Sequence, residues 1–75
     1  MPLITVKVLA GVFTGVQKRD IVEHLTDALV DIQGEAMRPF TWCIVEEVPG
    51  GDWGMGGDPM SAEHLRARAA ASATP

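Results

Sequence analysis

Two β-branched runs separated by one helix-length amphipathic segment constrain this chain more than any other feature. The first run, Leu3 to Leu9 (LITVKVL), alternates so that Ile4, Val6 and Val8 share one side and Leu3, Thr5 and Lys7 the other. Such alternation in β-branched residues reads as a strand with a fully apolar face. Gly11 interrupts it, and Thr14 followed by Gln17 has the spacing of a capping box, which predicts a helix from about Gly15. Along that helix Ile21, Val22, Leu25, Ala28, Leu29 and Ile32 recur at three and four residue steps, with Lys18, Arg19, Glu23, Asp27 and Asp31 between them. Gly34 supplies a left-handed C-cap, and Pro39 is expected to stop helix from resuming through Arg38. The run Thr41 to Val48 (TWCIVEEV) is the second strand, ending before Pro49. About twenty residues of helix between two strands make a crossover connection, so the strands are expected to be parallel. The fold class is α+β, built on a β-α-β unit.

Such a unit is incomplete by itself. One helix covers one face of a two-stranded parallel sheet, whereas parallel sheets bury both. At 75 residues the chain is near the lower limit for a self-sufficient core. Small domains compensate with disulfides, metals or oligomerisation. The single cysteine, Cys43, forbids an internal disulfide, and one cysteine with two separated histidines has no zinc-site spacing. Oligomerisation is left, with further copies of the chain as the expected partner. Trp42, Trp53 and Met55 are the side chains suited to pack at such an interface.

Charge and hydropathy exclude other partners. Six basic residues against ten acidic ones give a formal net charge of -4, the wrong sign for a nucleic-acid or polybasic membrane-surface binder. No run approaches the roughly 20 apolar residues of a membrane span, and the chain opens without a basic region leading into an apolar stretch. A cytoplasmic protein is expected, and a free thiol at Cys43 fits a reducing compartment.

Beyond Pro49 the glycines at 50, 51, 54, 56 and 57 surround Trp53 and Met55, which predicts a tight turn or small hairpin. Ser61 and Glu63 open a helical turn that reaches Arg68, followed by the alanine-rich AAASATP. Residues 2–60 form the expected domain and 61–75 an extension, frayed over 69–75.

The dipeptide Met1-Pro2 carries most chemical content. Removal of Met1 exposes a secondary amine at the start of a strand. An α-amino group titrates at about 7.7 to 8.0, and partial burial lowers this toward neutrality, where general acid-base catalysis is most effective. Other constellations are poorer. Cys43 and His24 lie on different elements without a third orienting group. Glu46 and Glu47 are adjacent in a strand and must face opposite ways. GGDWGMGG lacks the strand-to-helix context and GK[ST] ending of a phosphate loop.

The opening PLITVKVLAG, the pair Gln17-Lys18, IVEEVP at 44 to 49 and the DWGMGG segment at 52 to 57 together resemble the 4-oxalocrotonate tautomerase family over about residues 2 to 57. The resemblance implies a β-α-β subunit with a short C-terminal hairpin, assembled as a hexamer of three dimers and working without a cofactor or metal. It also implies a catalytic Pro2, acting first as general base and then as general acid in enol-keto proton transfer on a small unsaturated 2-hydroxy or 2-keto acid. Trp53 falls where the family has an aromatic beside the proline, Met55 in the turn over the pocket, and Leu9 near the strand exit, where its backbone can bond substrate or water.

Two departures stand out. The family's arginine after the glycine that ends strand one is Val12 here, and its second arginine, in strand two, is Trp42. Neither replacement can pair bidentately with a carboxylate. The substrate expectation therefore moves from a dicarboxylate to an enol acid with an apolar or aromatic body, lined by Val12 and Trp42. Arg38 is the preferred substitute cation, with Lys7, Arg66 and Arg68 as others. A hydratase or dehalogenase built on Pro2, and a non-catalytic or mixed-hexamer subunit, are the alternatives that the missing arginines raise.

Overall fold

The computed structural model describes residues 1–73 of the chain. Strand β1 (Leu3–Leu9) is followed by helix α1 (Gly15–Gln33), a 3-10 helix (Glu35–Phe40) and strand β2 (Trp42–Val48). Strands β3 (Trp53–Met55) and β4 (Asp58–Met60) and helix α2 (Ala62–Ala73) complete it. β1 and β2 pair in parallel, Leu3 opposite Trp42 through Leu9 opposite Val48, and β3 and β4 form a separate antiparallel hairpin. The β-α-β unit with a C-terminal hairpin is thus the observed architecture.

Local chemistry explains the boundaries. Thr14 accepts the Gln17 backbone N–H at 3.1 Å while the Gln17 side chain accepts the Thr14 N–H at 2.9 Å, a complete capping box at the start of α1. At its far end Gly34 donates to the Val30 carbonyl at 2.7 Å. Its φ of 104° is positive as expected, but its ψ of 152° is extended, so the chain leaves the helix outward instead of curling into a left-handed turn. The 3-10 helix corrects the expectation that Pro39 excludes helix through Arg38. The turn bonds there run from Met37 N–H to the Gly34 carbonyl and from Thr41 N–H to the Arg38 carbonyl, so the missing N–H of Pro39 is never called upon. Gly56 and Gly57 hold φ of 62° and 90° between β3 and β4, the two positive values that a two-residue type I′ hairpin turn requires. Ser61 caps α2 by accepting the His64 N–H, and good helix formers carry α2 past Arg68 to Ala73. Thr74 and Pro75 of the tail lie outside the described residues.

The two faces of the β1–β2 sheet differ sharply. α1 covers the side of Ile4, Val6 and Val8; on the other side Leu3, Trp42 and Ile44 are 55%, 53% and 41% exposed. The core of the single chain is small. Among the described residues the buried apolar side chains are Val8, Leu9, Val30 and Met60. Ile21, Val22, Leu25 and Leu29 of the expected inward stripe of α1 are at least half-buried, but at its end Val30, 2% exposed, faces inward and Ile32, 83% exposed, does not. Accessible surface is 5315 Å², against about 4,450 Å² for a compact monomer of 8.0 kDa. The radius of gyration, 15.5 Å, exceeds the roughly 11 Å of a compact 75-residue domain. Both excesses describe a chain more open than a compact monomer of its size.

Candidate active site

β1 carries candidate residues at both of its ends. Pro2, half-buried, immediately precedes β1, and its carbonyl accepts the backbone N–H of Trp42 at 3.0 Å. That bond extends the parallel ladder and places Trp42 beside Pro2, on the open face opposite Leu3. Met1 is 79% exposed, and while it is attached the Pro2 nitrogen is an amide without basicity.

The other end opens into an apolar cleft of about 500 Å³. Val8 and Leu9 enter from β1, Val12 and Phe13 from the turn after it, Trp53 and Met55 from β3, and Leu65 from α2. Lys7 contributes its stem and the charge of the cleft. The turn forms because Gly11 takes φ 86°, after which the Val12 N–H reaches back to the Leu9 carbonyl. The hairpin is brought over the cleft by Met60, 3% exposed, and by the Gly51 N–H bonded to the Met60 carbonyl at 3.0 Å. The volume lies within the range of small-molecule sites, about 300 to 1,000 Å³.

The structure therefore gathers Leu9, Val12, Trp53 and Met55 and sets Pro2 and Trp42 apart from them. Along β1 the separation from Pro2 to Leu9 is about 23 Å at 3.3 Å per residue. Arg38 joins neither group. Its Nε donates to Glu35 Oε1 at 2.6 Å and its Nη1 to Asp27 Oδ1 at 2.8 Å, tying the 3-10 helix to α1. The Arg38 fork holds the Glu35 carboxyl below the usual glutamate range and raises its own pKa in turn. The strand glutamates face apart as alternation requires: Glu46 pairs with Lys7 at 4.0 Å on the open face, and Glu47 pairs with Lys18 of α1. The Lys18 ammonium holds the Glu47 carboxyl below its ordinary value.

Phe13, Leu65 and Lys7 in the cleft were not anticipated as a group. Lys7 and Phe13 carry the one local signal, since both flank the Gly11 turn; Leu65 has none, because α2 reaches the cleft only through the fold.

The model of the tautomerase enzyme family matches residues 2–63, most of the chain. The chain belongs to that family. This tautomerase-family chain is also similar to two solved structures. One is apo unfused 4-OT, 27% identical with a TM-score of 0.70, over 79% of this chain and 93% of that one. The other is DmpI from Helicobacter pylori, 29% identical with a TM-score of 0.66, over 88% of this chain and 97% of that one. No curated protein sequence matches significantly. Membership supports tautomerase-type isomerase activity on a small molecule. Among the described residues no helix is long and apolar enough to cross a membrane.

Proposed function

We propose that the tautomerase-like unit, residues 2–60, becomes an active isomerase once Met1 is removed. Pro2 then takes a proton from the hydroxyl of an enol or dienol acid and returns it to carbon, giving the keto acid. The observation that carries this reading is the apolar cleft of Leu9, Val12, Trp53 and Met55 in a family member whose Pro2 immediately precedes β1. Desolvation by such a wall disfavours the charged amine and keeps it a base near neutral pH.

The separation of about 23 Å within one chain is too long for proton transfer to a ligand in the same chain's cleft. The reading is therefore oligomeric: the Pro2 and Trp42 end of one copy meets the cleft of another, and the open face bearing Leu3, Trp42 and Ile44 is covered by that contact. A hexamer of three dimers in the cytoplasm satisfies both needs. The apolar lining favours an enol acid with an alkyl or aryl body, such as a phenylenolpyruvate-like compound, over a dicarboxylate.

Ketonisation of freshly generated phenylenolpyruvate, followed by ultraviolet absorbance, tests the proposal. Processed protein should accelerate it, and Pro2→Ala should lose about 10² to 10⁴ of the rate. Equal rates for the two proteins would overturn the reading, as would intact mass showing that Met1 stays attached in an active preparation.

A further inference from the structure

Both positions where the resemblance places carboxylate-binding arginines are apolar in this chain, yet an enol acid brings a carboxylate that should not enter an apolar cleft unpaired. The chain's candidate cations differ in what already holds them. Arg38 is held by Asp27 and Glu35 and Lys18 by Glu47, while Lys7, in the cleft lining, stands 4.0 Å from Glu46. Arg66 is different. It stands on α2 next to Leu65, which lines the cleft, and its Nη2 donates to the carbonyl of Gly11, the residue before the cleft-lining Val12. Among the described residues no carboxylate pairs with it, so the rest of its fork is left to solvent or ligand. Ala62 packs against the Gly11 turn, where an added Cβ would come within 3.3 Å of it, so α2 is seated on that turn by its first residue.

We infer that Arg66, carried by the C-terminal extension, is the carboxylate-binding and specificity-determining residue of the cleft, selecting monocarboxylates with an alkyl or aryl body. α2 restores from outside the β-α-β unit the cation that Val12 removes from within it. The substrate's apolar body lies against Phe13, Trp53 and Met55, and its carboxylate reaches the rim, where the guanidinium offers paired N–H donors. The inference deepens the isomerase reading and rests on it for the identity of the substrate, but the binding step is separable from the chemistry.

Titration calorimetry of the processed oligomer with 3-phenylpropanoate and with 3-phenylpropanamide separates them. The wild type should bind the acid roughly tenfold more tightly than the amide, as a charge-assisted pair predicts. Arg66→Gln should erase that preference while leaving amide affinity and circular dichroism unchanged, Arg66→Lys should recover part of it, and Pro2→Ala should keep it intact. Arg68, which lines a separate groove with Asp58 and His64, is the control, and Arg68→Gln should behave as wild type. Equal affinity for acid and amide, absence of binding by either, or an acid preference that survives Arg66→Gln would each overturn the inference, and a loss in Lys7→Gln would then assign the preference to Lys7. A preference lost in Arg66→Gln, in a protein whose enol turnover is indifferent to Pro2→Ala, would uphold Arg66 while removing the proline mechanism.

Discussion

The two ends of β1 do different work with the same strand. At its start the backbone is the actor: the Pro2 carbonyl is tied to the Trp42 N–H, the flanking side chains stay exposed, and the feature of chemical interest is a nitrogen. At its end the side chains are the actors, since Val8 and Leu9 are buried and a turn, a hairpin and a second helix converge on them. One end has the proposed base without a pocket, and the other a pocket without a base. The difference teaches that a strand too short to hold a site can still contribute two halves of one, provided copies of the chain meet end against end.

The sharpest way to break this comparison is to disable each end separately. Pro2→Ala and Trp53→Ala oligomers should each lose about 10²-fold or more in enol turnover. Chains of the two kinds, unfolded and refolded together, should recover part of the rate, because some sites then combine an intact Pro2 with an intact Trp53. Recovery would be nil if each site were built within one chain.

Next in size is the open face. Ile44→Glu places a charge among Leu3, Trp42 and Ile44, whose burial is worth about 1.5 to 3 kcal/mol each. Sedimentation should show the assembly dissociating, with activity lost in parallel. Unchanged sedimentation would mean that this face is not where copies meet. Smaller again is Met60→Ala, which removes the buried anchor of the hairpin at a cost of about 2 to 5 kcal/mol. Thermal unfolding should register that loss, and KM should rise more than kcat falls, since the cleft end alone is loosened.

The smallest effect is acid sensitivity. Glu47 has its pKa lowered by Lys18, so the stabilisation is present above the unfolded glutamate value and fades as pH falls through the lower folded one. Melting temperature should decline as pH drops below the ordinary glutamate range, and Glu47→Gln should flatten that decline slightly.

These elements were legible in the sequence to different depths for a physical reason. Thr14 with Gln17, the alternation in Leu3 to Leu9 and the glycine pair at 56 and 57 announce a cap, a strand and a hairpin turn because each is decided within a few residues. The inward stripe of α1 differed only at its end, where Val30 follows Leu29 at one step and Ile32 at three, and only the packing beneath decides which of the two is buried. Arg38 looked available because Asp27 becomes its neighbour only after the chain turns through Gly34, and Glu35 only because residues 35–40 form a 3-10 helix. Arg66 and Gly11, separated by 55 positions, meet through the seating of α2, which no local pattern encodes. The candidate residues were thus readable one by one, while their grouping at the two ends of β1 was not.

The few buried side chains of a single copy also bear on how the protein reaches its native state. Pairing Leu3 with Trp42 closes a loop that spans the whole helix, and the apolar reward for that closure is small until a second copy covers the open face. Folding and association should then be a single kinetic event, with refolding that quickens as protein concentration rises and a melting temperature that climbs with it. Dilution should then act as a denaturant.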